Sequence, residues 1–332
     1  MIISRTPFRI SFFGGGTDYP AWFQEHGGSV VGTAIDKYCY LSVRHLPPYF
    51  EHRHRIVWSR IELVDRIQDI QHPAVRAVVD EQDVQQGLEI THNSDLPARS
   101  GMGSSSSFTV GLLQALYALQ GRMTSKQDLA THAIHIEQDV MKEAVGSQDQ
   151  VWAAYGGMNR IDFLPDGSFA VKPLIMSKDH RRELCNSLML VFTGFSRYAT
   201  EIAEKQIANF GNREKQLIEL QGMVGDAVSI LQDLESPALV LGKLLNEAWK
   251  LKRSLADVVS TPAVDEIYEE AISAGAIGGK LCGAGGGGFI LLVVRPEDRY
   301  AVRNRLRHLI HVNFDFDTEG SKIVVYEPDE FG

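Results

Sequence analysis

The run LPARSGMGSSSS at residues 96–107 leads directly into FTVGLLQALYAL at residues 108–119. The apolar spacing of the second run predicts a helix from about Ser105 to Leu119. A glycine loop therefore opens a helix, where backbone N–H groups are unpaired, the helix dipole is positive and serine hydroxyls can contact phosphate or Mg²⁺. We predict a phosphate-binding loop here, and the alternative is a flexible turn with a serine N-cap.

Two more glycine-rich segments flank this one in the chain, RISFFGGGTD at residues 9–18 and KLCGAGGGG at residues 280–288. In the first, Asp18 follows the glycines and can accept hydrogen bonds from sugar hydroxyls, although an aspartate is also an ordinary turn residue there. The second matches GxGxxG, but the strand-like run FILLVV follows it, whereas a dinucleotide fingerprint follows a strand and opens a helix. We expect this tract to line a cleft or to pack two domains tightly.

An acidic region lies between these segments. Glu137 is near the end of a helical stretch from about Lys126, and a break at Val145 and Gly146 precedes SQDQ at residues 147–150. Ser147 and Gln150 fit a capping box, which would place Asp149 in the first turn of the next helix. The dipole would keep that carboxylate ionised and able to orient a hydroxyl or accept its proton. An acid at this position is also common for helix stability alone.

Composition limits the classes of function. The chain has 332 residues, 44% hydrophobic and 23% charged, and a net charge of −9, which disfavours binding to nucleic acid or an anionic membrane. An anionic substrate must therefore meet a local basic site. Three widely spaced cysteines support neither a disulfide framework nor a zinc site. We see neither a membrane-length apolar run nor a signal peptide, so we expect a cytoplasmic protein.

The order of the elements predicts an α+β protein with two domains. Strand-like runs over 9–13, 39–43 and 88–91 precede the helix of the serine loop, and a long helical region over about 197–247 precedes a strand at 289–295. We place the boundary near residue 175. Residues 1–175 would form the first domain, which contains the serine loop, and residues 176–332 would form the second domain.

Together the three glycine segments resemble the three motifs of the GHMP kinases, in the same order and over nearly the whole chain. This resemblance implies an N-terminal domain like ribosomal protein S5 domain 2 and a ferredoxin-like C-terminal domain. Within this superfamily the chain is most similar to the D-glycero-D-manno-heptose 7-phosphate kinase branch. That branch phosphorylates the anomeric hydroxyl with ATP and Mg²⁺ to give the 1,7-bisphosphate. Galactokinases have Glu-His where this chain has Gly15 and Gly16. That difference would free space for a bulkier sugar.

The resemblance also implies roles for single residues. Asp149 would orient or deprotonate the acceptor hydroxyl, with Arg9 as the cation beside it, and Ser105 and Glu137 would hold Mg²⁺. The implied ATP contacts are Pro97, Arg99, Gly101, Met102, Gly103, Ser104, Ser105 and Ser106. The implied substrate contacts are Gly15, Gly16, Thr17, Asp18, Arg197, Gly283, Ala284, Gly285 and Gly286. If the acceptor carries a 7-phosphate, a basic residue must bind it, and Arg197 and Lys37 are candidates.

Other functions stay open at this stage. A kinase for fucose or an unphosphorylated manno-sugar would keep every motif and differ only in the pocket far from the reacting hydroxyl. A non-catalytic sugar sensor would bind ligand without turnover, and a dinucleotide oxidoreductase is a more distant alternative. The expected partners are a small-molecule sugar phosphate and ATP. A homodimer is compatible with the sequence, which does not determine the oligomeric state.

Overall fold

The structure is a computed structural model that describes residues 1–195, 199–232 and 237–328. The strands are β1 (Ile2–Phe13), β2 (Gly28–His45), β3 (His54–Val57), β4 (Ile61–Val64), β5 (Leu88–Ser94), β6 (Met158–Phe163), β7 (Phe169–Pro173), β8 (Leu188–Phe192), β9 (Ala276–Leu281), β10 (Phe289–Val294), β11 (Ile310–Val312) and β12 (Lys322–Tyr326). The helices are α1 (Pro20–His26), α2 (Pro73–Glu81), α3 (Ser104–Leu119), α4 (Lys126–His135), α5 (Gln148–Tyr155), α6 (Lys178–Asn186), α7 (Ala199–Ala208), α8 (Glu214–Gln232), α9 (Pro237–Arg253), α10 (Pro262–Ser273) and α11 (Arg299–Arg305).

The first sheet forms around the long strand β2. Within the described residues it has eight strands in the order β12-β1-β2-β5-β3-β4, with β6 and β7 attached through the first part of β2. Residues 28–33 of β2 pair with β6, and residues 39–45 pair with β5. The strands that the sequence predicts over 9–13, 39–43 and 88–91 all lie in this sheet.

The second sheet is smaller and wholly antiparallel. Over the described ranges it has four strands in the order β11-β8-β10-β9, and β10 is the predicted strand that follows the glycine tract. All six residues of β10 are buried, which accounts for the unbroken apolar run FILLVV. One mixed and one antiparallel sheet, with separate helices, confirm the predicted α+β fold class.

The chain crosses between the two sheets near the predicted domain boundary. The strand β7 ends at Pro173 in the first sheet, α6 begins at Lys178, and β8 belongs to the second sheet. Near the other end of the chain, β12 returns to the first sheet and pairs with β1. The boundary near residue 175 stays a prediction, and residues 322–326 of the expected second domain pair with the first sheet.

Helices α3 and α5 place the residues singled out from the sequence. Helix α3 packs on β1 and β2, and α5 packs on α3, α4 and β1. Helix α5 begins after Ser147 as predicted, so Asp149 lies in its first turn. The predicted capping box is wrong, because the hydroxyl of Ser147 accepts a hydrogen bond from Gln138 and the amide of Gln150 donates to Glu137.

Two features of the chain's surface and interior bear on its class. Among the described residues, none of the helices is both long enough and apolar enough to cross a membrane. The three cysteines are unpaired thiols, with Cys39 and Cys282 buried and Cys185 half-buried.

Candidate active site

An ion pair between β1 and α5 forms the centre of the site. The guanidinium of Arg9 donates from Nε to Asp149 Oδ1 and from the Nη2 nitrogen to Oδ2, each at 2.7 Å. Its third group, Nη1, donates to the carbonyl of Gly101 at 2.6 Å. The side chain of Arg9 is 6% exposed and that of Asp149 is 24% exposed. The pair is therefore accessible mainly from its carboxylate side, where an acceptor hydroxyl could approach.

The serine loop holds Arg9 from the other side. The backbone N–H of Arg9 donates to the carbonyl of Met102 at 3.1 Å. A Cβ atom on Gly103 would lie 3.2 Å from the side chain of Arg9 and 3.4 Å from Asp149 Oδ2. The loop backbone thus lies directly against the ion pair, because no side chain intervenes at Gly103.

Helix α3 begins with a glycine cap rather than a serine cap. Gly103 occupies the N-cap position with φ of 75°, and none of the described side chains caps the helix. Ser104 instead accepts a hydrogen bond from the backbone N–H of Arg99, at 3.2 Å, so its hydroxyl braces the loop. The alternative of a turn closed by a serine N-cap is therefore wrong. The first N–H groups of α3 are left for a ligand, and phosphate oxygens suit them.

The C-terminal glycine tract packs on the serine loop, backbone against backbone. A Cβ atom on Gly101 would lie 2.3 Å from the carbonyl oxygen of Cys282, and one on Gly283 would lie 2.5 Å from the Cα of Gly101. Both glycines have positive φ, 80° and 75°. The carbonyl of Ala284 accepts a hydrogen bond from Gln206, and the N–H of Gly286 donates to Val259. The tract therefore joins α7 and the loop between α9 and α10 to the serine loop.

Asp18 lies near Asp149, in the loop between β1 and α1. Its Oδ1 accepts from the N–H of Gly16 at 3.0 Å, and its Oδ2 accepts from the amide of Gln148 at 2.8 Å. Burial raises the pKa of Asp18, the hydrogen bond from Gly16 opposes that rise, and the charge of Asp149 adds to it. The two carboxylates therefore influence each other electrostatically, one paired with Arg9 and the other held by neutral donors.

The residues before Asp18 differ in how they could contribute to a substrate site. Gly15 is half-buried, and a side chain beginning there would make ordinary van der Waals contacts, the nearest at 3.8 Å. Gly16 donates its N–H to Asp18. The hydroxyl of Thr17 is fully enclosed and contacts the carbonyls of Gly14 and Ser29, so it stabilises the loop from within. The side chain expected at the substrate is thus Asp18 rather than Thr17.

Glu137 forms a separate polar cluster under the first turn of α3. Its carboxylate is fully buried and accepts from the hydroxyls of Ser106 and Thr109, each at 2.8 Å, and from the amide of Gln150. Burial raises the pKa of this carboxyl to about 7, against the effect of the hydroxyl hydrogen bonds. The serine in contact with Glu137 is Ser106, whereas Ser105 is exposed to solvent. The expected pairing of Ser105 with Glu137 is therefore not present in this structure.

Two lysines that the sequence analysis did not assign lie beside these groups. Lys252, in the last turn of α9, is 8% exposed and donates to the carbonyl of Gly283. Lys280, in β9, is also buried and donates to the carbonyls of Ser11 and Phe12 at 2.8 and 3.1 Å. In sequence, Lys252 lies in KLKR and resembles the solvated end of a helix, and only Lys280 belongs to a motif.

The basic residues considered for a 7-phosphate are placed differently. Arg197 lies outside the described residues. Lys37 is partly exposed and its ammonium pairs with the carboxylate of Asp36 at 2.8 Å. Its charge is thus already matched by a neighbouring acid. Pro97 and Arg99, the outer residues of the predicted ATP loop, are exposed at the surface.

Models of known protein families match the segments that contain the serine loop and the C-terminal glycine tract. Residues 68–157 match the model for the GHMP kinases N-terminal domain, and residues 234–311 match the model for the GHMP kinases C-terminal domain. A D-glycero-alpha-D-manno-heptose 7-phosphate kinase from Campylobacter jejuni is 29% identical, with 97% of this chain and 98% of that protein covered. A bifunctional fucokinase/GDP-fucose pyrophosphorylase from Arabidopsis thaliana is 27% identical over 93% of this chain but only 31% of its own length.

Solved structures share the fold over nearly the whole chain. A D-glycero-D-manno-heptose 1-phosphate kinase from Bacteroides thetaiotaomicron superposes with a TM-score of 0.80 at 23% identity, covering 98% of this chain and all (100%) of that one. A galactokinase from Lactococcus lactis superposes with a TM-score of 0.73 at 16% identity, covering 97% and 94%. With both family domains matched in order around an ion pair, a serine loop and a glycine tract, this chain belongs to the GHMP kinases and is a phosphotransferase.

Proposed function

We propose that this kinase transfers the terminal phosphoryl group of ATP to the anomeric hydroxyl of D-glycero-D-manno-heptose 7-phosphate, giving the 1,7-bisphosphate. The observation that carries the proposal is the Arg9–Asp149 pair, which lies against the serine loop on one side and near Asp18 on the other. A phosphoryl donor and a hydroxyl acceptor would meet at such a junction. Similarity to the Campylobacter jejuni enzyme over almost the full length supports this choice of sugar.

Asp149 and Arg9 are the catalytic residues in this proposal. Each carboxylate oxygen of Asp149 has a further lone pair beyond its bond to Arg9, so it can accept a hydrogen bond from the anomeric hydroxyl and then its proton. Arg9 holds the carboxylate in one orientation and adds positive charge near the transferring group. Because phosphoryl transfer has a loose transition state, alignment and charge neutralisation are the main requirements.

The nucleotide would bind at the start of α3. The uncapped N–H groups after Gly103 and the hydroxyls of Ser104, Ser105 and Ser106 offer donors to the triphosphate, and the helix dipole favours its negative charge. Pro97 and Arg99 would flank the nucleotide at the surface. The glycine tract from Gly283 to Gly286 would close the site from the second sheet, since it touches the loop directly.

The oxygen ligands near Glu137 have the chemistry that Mg²⁺ requires. A magnesium ion takes one or two protein oxygens together with phosphate oxygens and waters, and a carboxylate beside several serine hydroxyls fits that need. We assign Glu137 and a hydroxyl of Ser105 or Ser106 as its ligands. When bound, the ion would neutralise charge on the terminal phosphates. In this protein Glu137 also ties α3 to α5, which keeps Asp149 in position.

Acceptor binding would involve the loop before α1. Asp18 would accept hydrogen bonds from sugar hydroxyls, and Gly15 and Gly16 would leave room for the sugar beside it. Arg197 stays a candidate for the 7-phosphate. Lys37 is less suited, because Asp36 already pairs with its ammonium.

A kinase for another sugar is the second candidate. Similarity to about a third of the length of two bifunctional proteins with fucokinase in their names, from Arabidopsis thaliana and Bacteroides fragilis, supports fucose as the alternative acceptor. A sensor without turnover has less support, because the acid, its arginine and the serine loop are assembled. Because the chain belongs to a phosphotransferase family, the alternative of a dinucleotide oxidoreductase is no longer supported. The homodimer and the cytoplasmic location stay predictions.

The test is turnover with Mg-ATP on heptose 7-phosphate, heptose, mannose, fucose and galactose. We expect selective turnover of the phosphorylated heptose, with product phosphorylated at the anomeric carbon, and loss of turnover in Asp149→Ala. Asp69→Ala is the control, because Asp69 makes an exposed pair with Arg66 outside the site. Preference for fucose would keep the kinase and replace its substrate. ATP and sugar binding without turnover of any sugar would indicate a sensor.

A further inference from the structure

Lys252 is a buried cation at the acceptor loop for which no role has been assigned above. It belongs to α9, its side chain is 8% exposed, and its ammonium donates to the neutral carbonyl of Gly283. A Cβ atom built on Gly15 would lie 3.9 Å from Lys252 Nζ. The ammonium therefore lies at contact distance from the place where a side chain at position 15 would begin.

The two lysines beside this space have no charged partner close by. Lys252 and Lys280 are both buried, burial and the charge of Lys252 lower the pKa of Lys280 well below its usual value, and the nearby acids are Asp149 and Asp18. Asp149 is engaged on both oxygens by Arg9. Among the described residues, no carboxylate lies within 4.0 Å of either lysine nitrogen, and the hydrogen bonds of both go to backbone carbonyls.

A buried ammonium that lacks a carboxylate partner is costly, since a buried ion needs a partner of opposite charge, and Lys252 is such a group. Burial lowers the pKa of Lys252 to about 8, while the negative charge of Asp18 acts in the opposite direction. Lys252 is thus still protonated in neutral solution. The protein as a whole carries a net charge of −9, whereas this site carries a buried positive charge. A local positive site in a negatively charged protein indicates an anionic ligand.

Neutral donors complete the same space. Measured from a Cβ position on Gly15, Gln148 Nε2 lies at 3.8 Å and Ser11 Oγ at 3.9 Å. The hydroxyl of Ser11 is buried and has no hydrogen-bond partner among the described residues. Gly15, Lys252, Lys280 and Trp249 also line a cavity of about 10 Å³, which has room for at most one water molecule. The indole nitrogen of Trp249 is likewise unpaired within the described part of the chain.

We infer that Lys252, with Gln148 and Ser11, binds over Gly15 the phosphate group that the acceptor sugar already carries. This inference rests on the proposed kinase function and assigns the residue that distinguishes a sugar phosphate from a free sugar. A phosphate dianion supplies both the missing negative charge and several acceptor oxygens, whereas a sugar hydroxyl supplies no charge. A glutamate at position 15, as in the galactokinase motif, would place a carboxylate beside Lys252 and fill this site.

The inference is tested by steady-state kinetics on heptose 7-phosphate and heptose, with Lys252→Met and Lys252→Arg. Loss of a charged hydrogen bond weakens binding by about tenfold to a hundredfold. We expect Lys252→Met to raise KM for the phosphorylated sugar by this factor, with KM for heptose and for Mg-ATP unchanged. Lys252→Arg keeps the charge and should restore most of the affinity. Lys250→Met is the matched control, two residues earlier in α9 and exposed.

A second variant separates recognition from folding. Gly15→Ala would add a methyl group with ordinary contacts of 3.8–3.9 Å, so the fold should be retained while the phosphate position is partly filled. Because Gly15 also borders the sugar, we expect KM to rise for both sugars, and to rise several-fold more for the phosphorylated one. Equal losses on both sugars, or an unchanged KM in both Lys252→Met and Gly15→Ala, would overturn the assignment of the subsite.

Failure of the proposed function would look different. In that case the wild type itself would not turn over heptose 7-phosphate, and the subsite is then tested by inorganic phosphate with the nucleotide site filled by Mg-ADP. We expect phosphate to raise the Tm of the wild type and of Lys250→Met but not of Lys252→Met. The same rise in all three proteins would contradict a phosphate site at Lys252.

Discussion

Replacing Asp149 by alanine should lower activity and stability through two separable effects. The guanidinium of Arg9 is almost fully buried, and two of its three hydrogen bonds go to Asp149. Without the carboxylate, a buried cation keeps one neutral partner, the carbonyl of Gly101. Breaking a buried ion pair in this way costs about 3–5 kcal/mol. Because Asp149 is 24% exposed, water reaches one side of the pair, and we expect a loss in the free energy of unfolding of about 3 kcal/mol.

The effect on turnover has another origin. A positioned general base contributes about a hundredfold to ten-thousandfold to the rate, and we expect kcat to fall by a factor in this range. The double variant Arg9→Met with Asp149→Ala removes the unpaired cation together with the acid. It should therefore unfold at a higher urea concentration than Asp149→Ala, while its turnover stays as low or falls further.

The assay combines urea unfolding with turnover at saturating Mg-ATP. Asp69→Ala serves as the control, because Asp69 and Arg66 form an exposed pair whose loss should shift neither quantity measurably. If Asp149→Ala unfolded at the same urea concentration as the wild type, the buried ion pair would not stabilise the fold. If the double variant were less stable than Asp149→Ala, the unpaired charge would not be the cause of the loss. Retained turnover in Asp149→Ala would remove it from the chemistry.

Three further predictions concern protonation, a close contact and the metal. The lowered pKa of Lys252, about 8, means that KM for the phosphorylated sugar should rise about tenfold per pH unit above pH 8, whereas KM for free heptose should not, in pH profiles from 6.5 to 9.5. Between the folded pKa of about 8 and the ordinary value of 10.5 the unfolded chain binds more protons, so Lys252 should make the free energy of unfolding rise with pH, and Lys252→Met should abolish that contribution in urea titrations. Gly146→Ala would place a methyl group 1.9 Å from Asp18 Oδ2, and we expect a higher KM for the sugar with little change for Mg-ATP; an unchanged KM would mean that Asp18 does not bind the acceptor. Glu137→Gln should raise the Mg²⁺ concentration needed for half-maximal activity, measured at fixed ATP, and an identical Mg²⁺ dependence would exclude Glu137 as a ligand.

The parts of the site that local sequence could predict are those formed by short motifs. The serine loop and the start of α3 follow from glycines and serines placed directly before a run with helical spacing, and the structure begins α3 at Ser104, one residue from the expected position. Asp149 in the first turn of α5 was likewise predictable, because the break at Gly146 fixes where the helix can begin. Such features depend on neighbours within about four residues, which is the range over which helix signals act.

The errors have a tertiary cause. The capping box at Ser147 and Gln150 was plausible locally, but the buried carboxylate of Glu137 attracts the amide of Gln150, and Gln138 donates to Ser147. A buried carboxylate needs donors more than a helix end near solvent needs a cap. The same demand explains why Ser106, facing the interior of α3, contacts Glu137 while Ser105 is exposed.

Lys252 shows why sequence alone could not complete the site. Its segment, KLKR at the end of an amphipathic helix, is typical of basic residues that favour a helix C-terminus in water. What distinguishes Lys252 from its exposed neighbour Lys250 is the position of α9 against the glycine tract, more than thirty residues later in the chain. Composition nevertheless required such a residue, because a chain with a net charge of −9 that takes an anionic acceptor must assemble positive charge locally. The fold meets that requirement by bringing Lys252 of α9 and Lys280 of β9 to the lining of one small cavity beside Gly15.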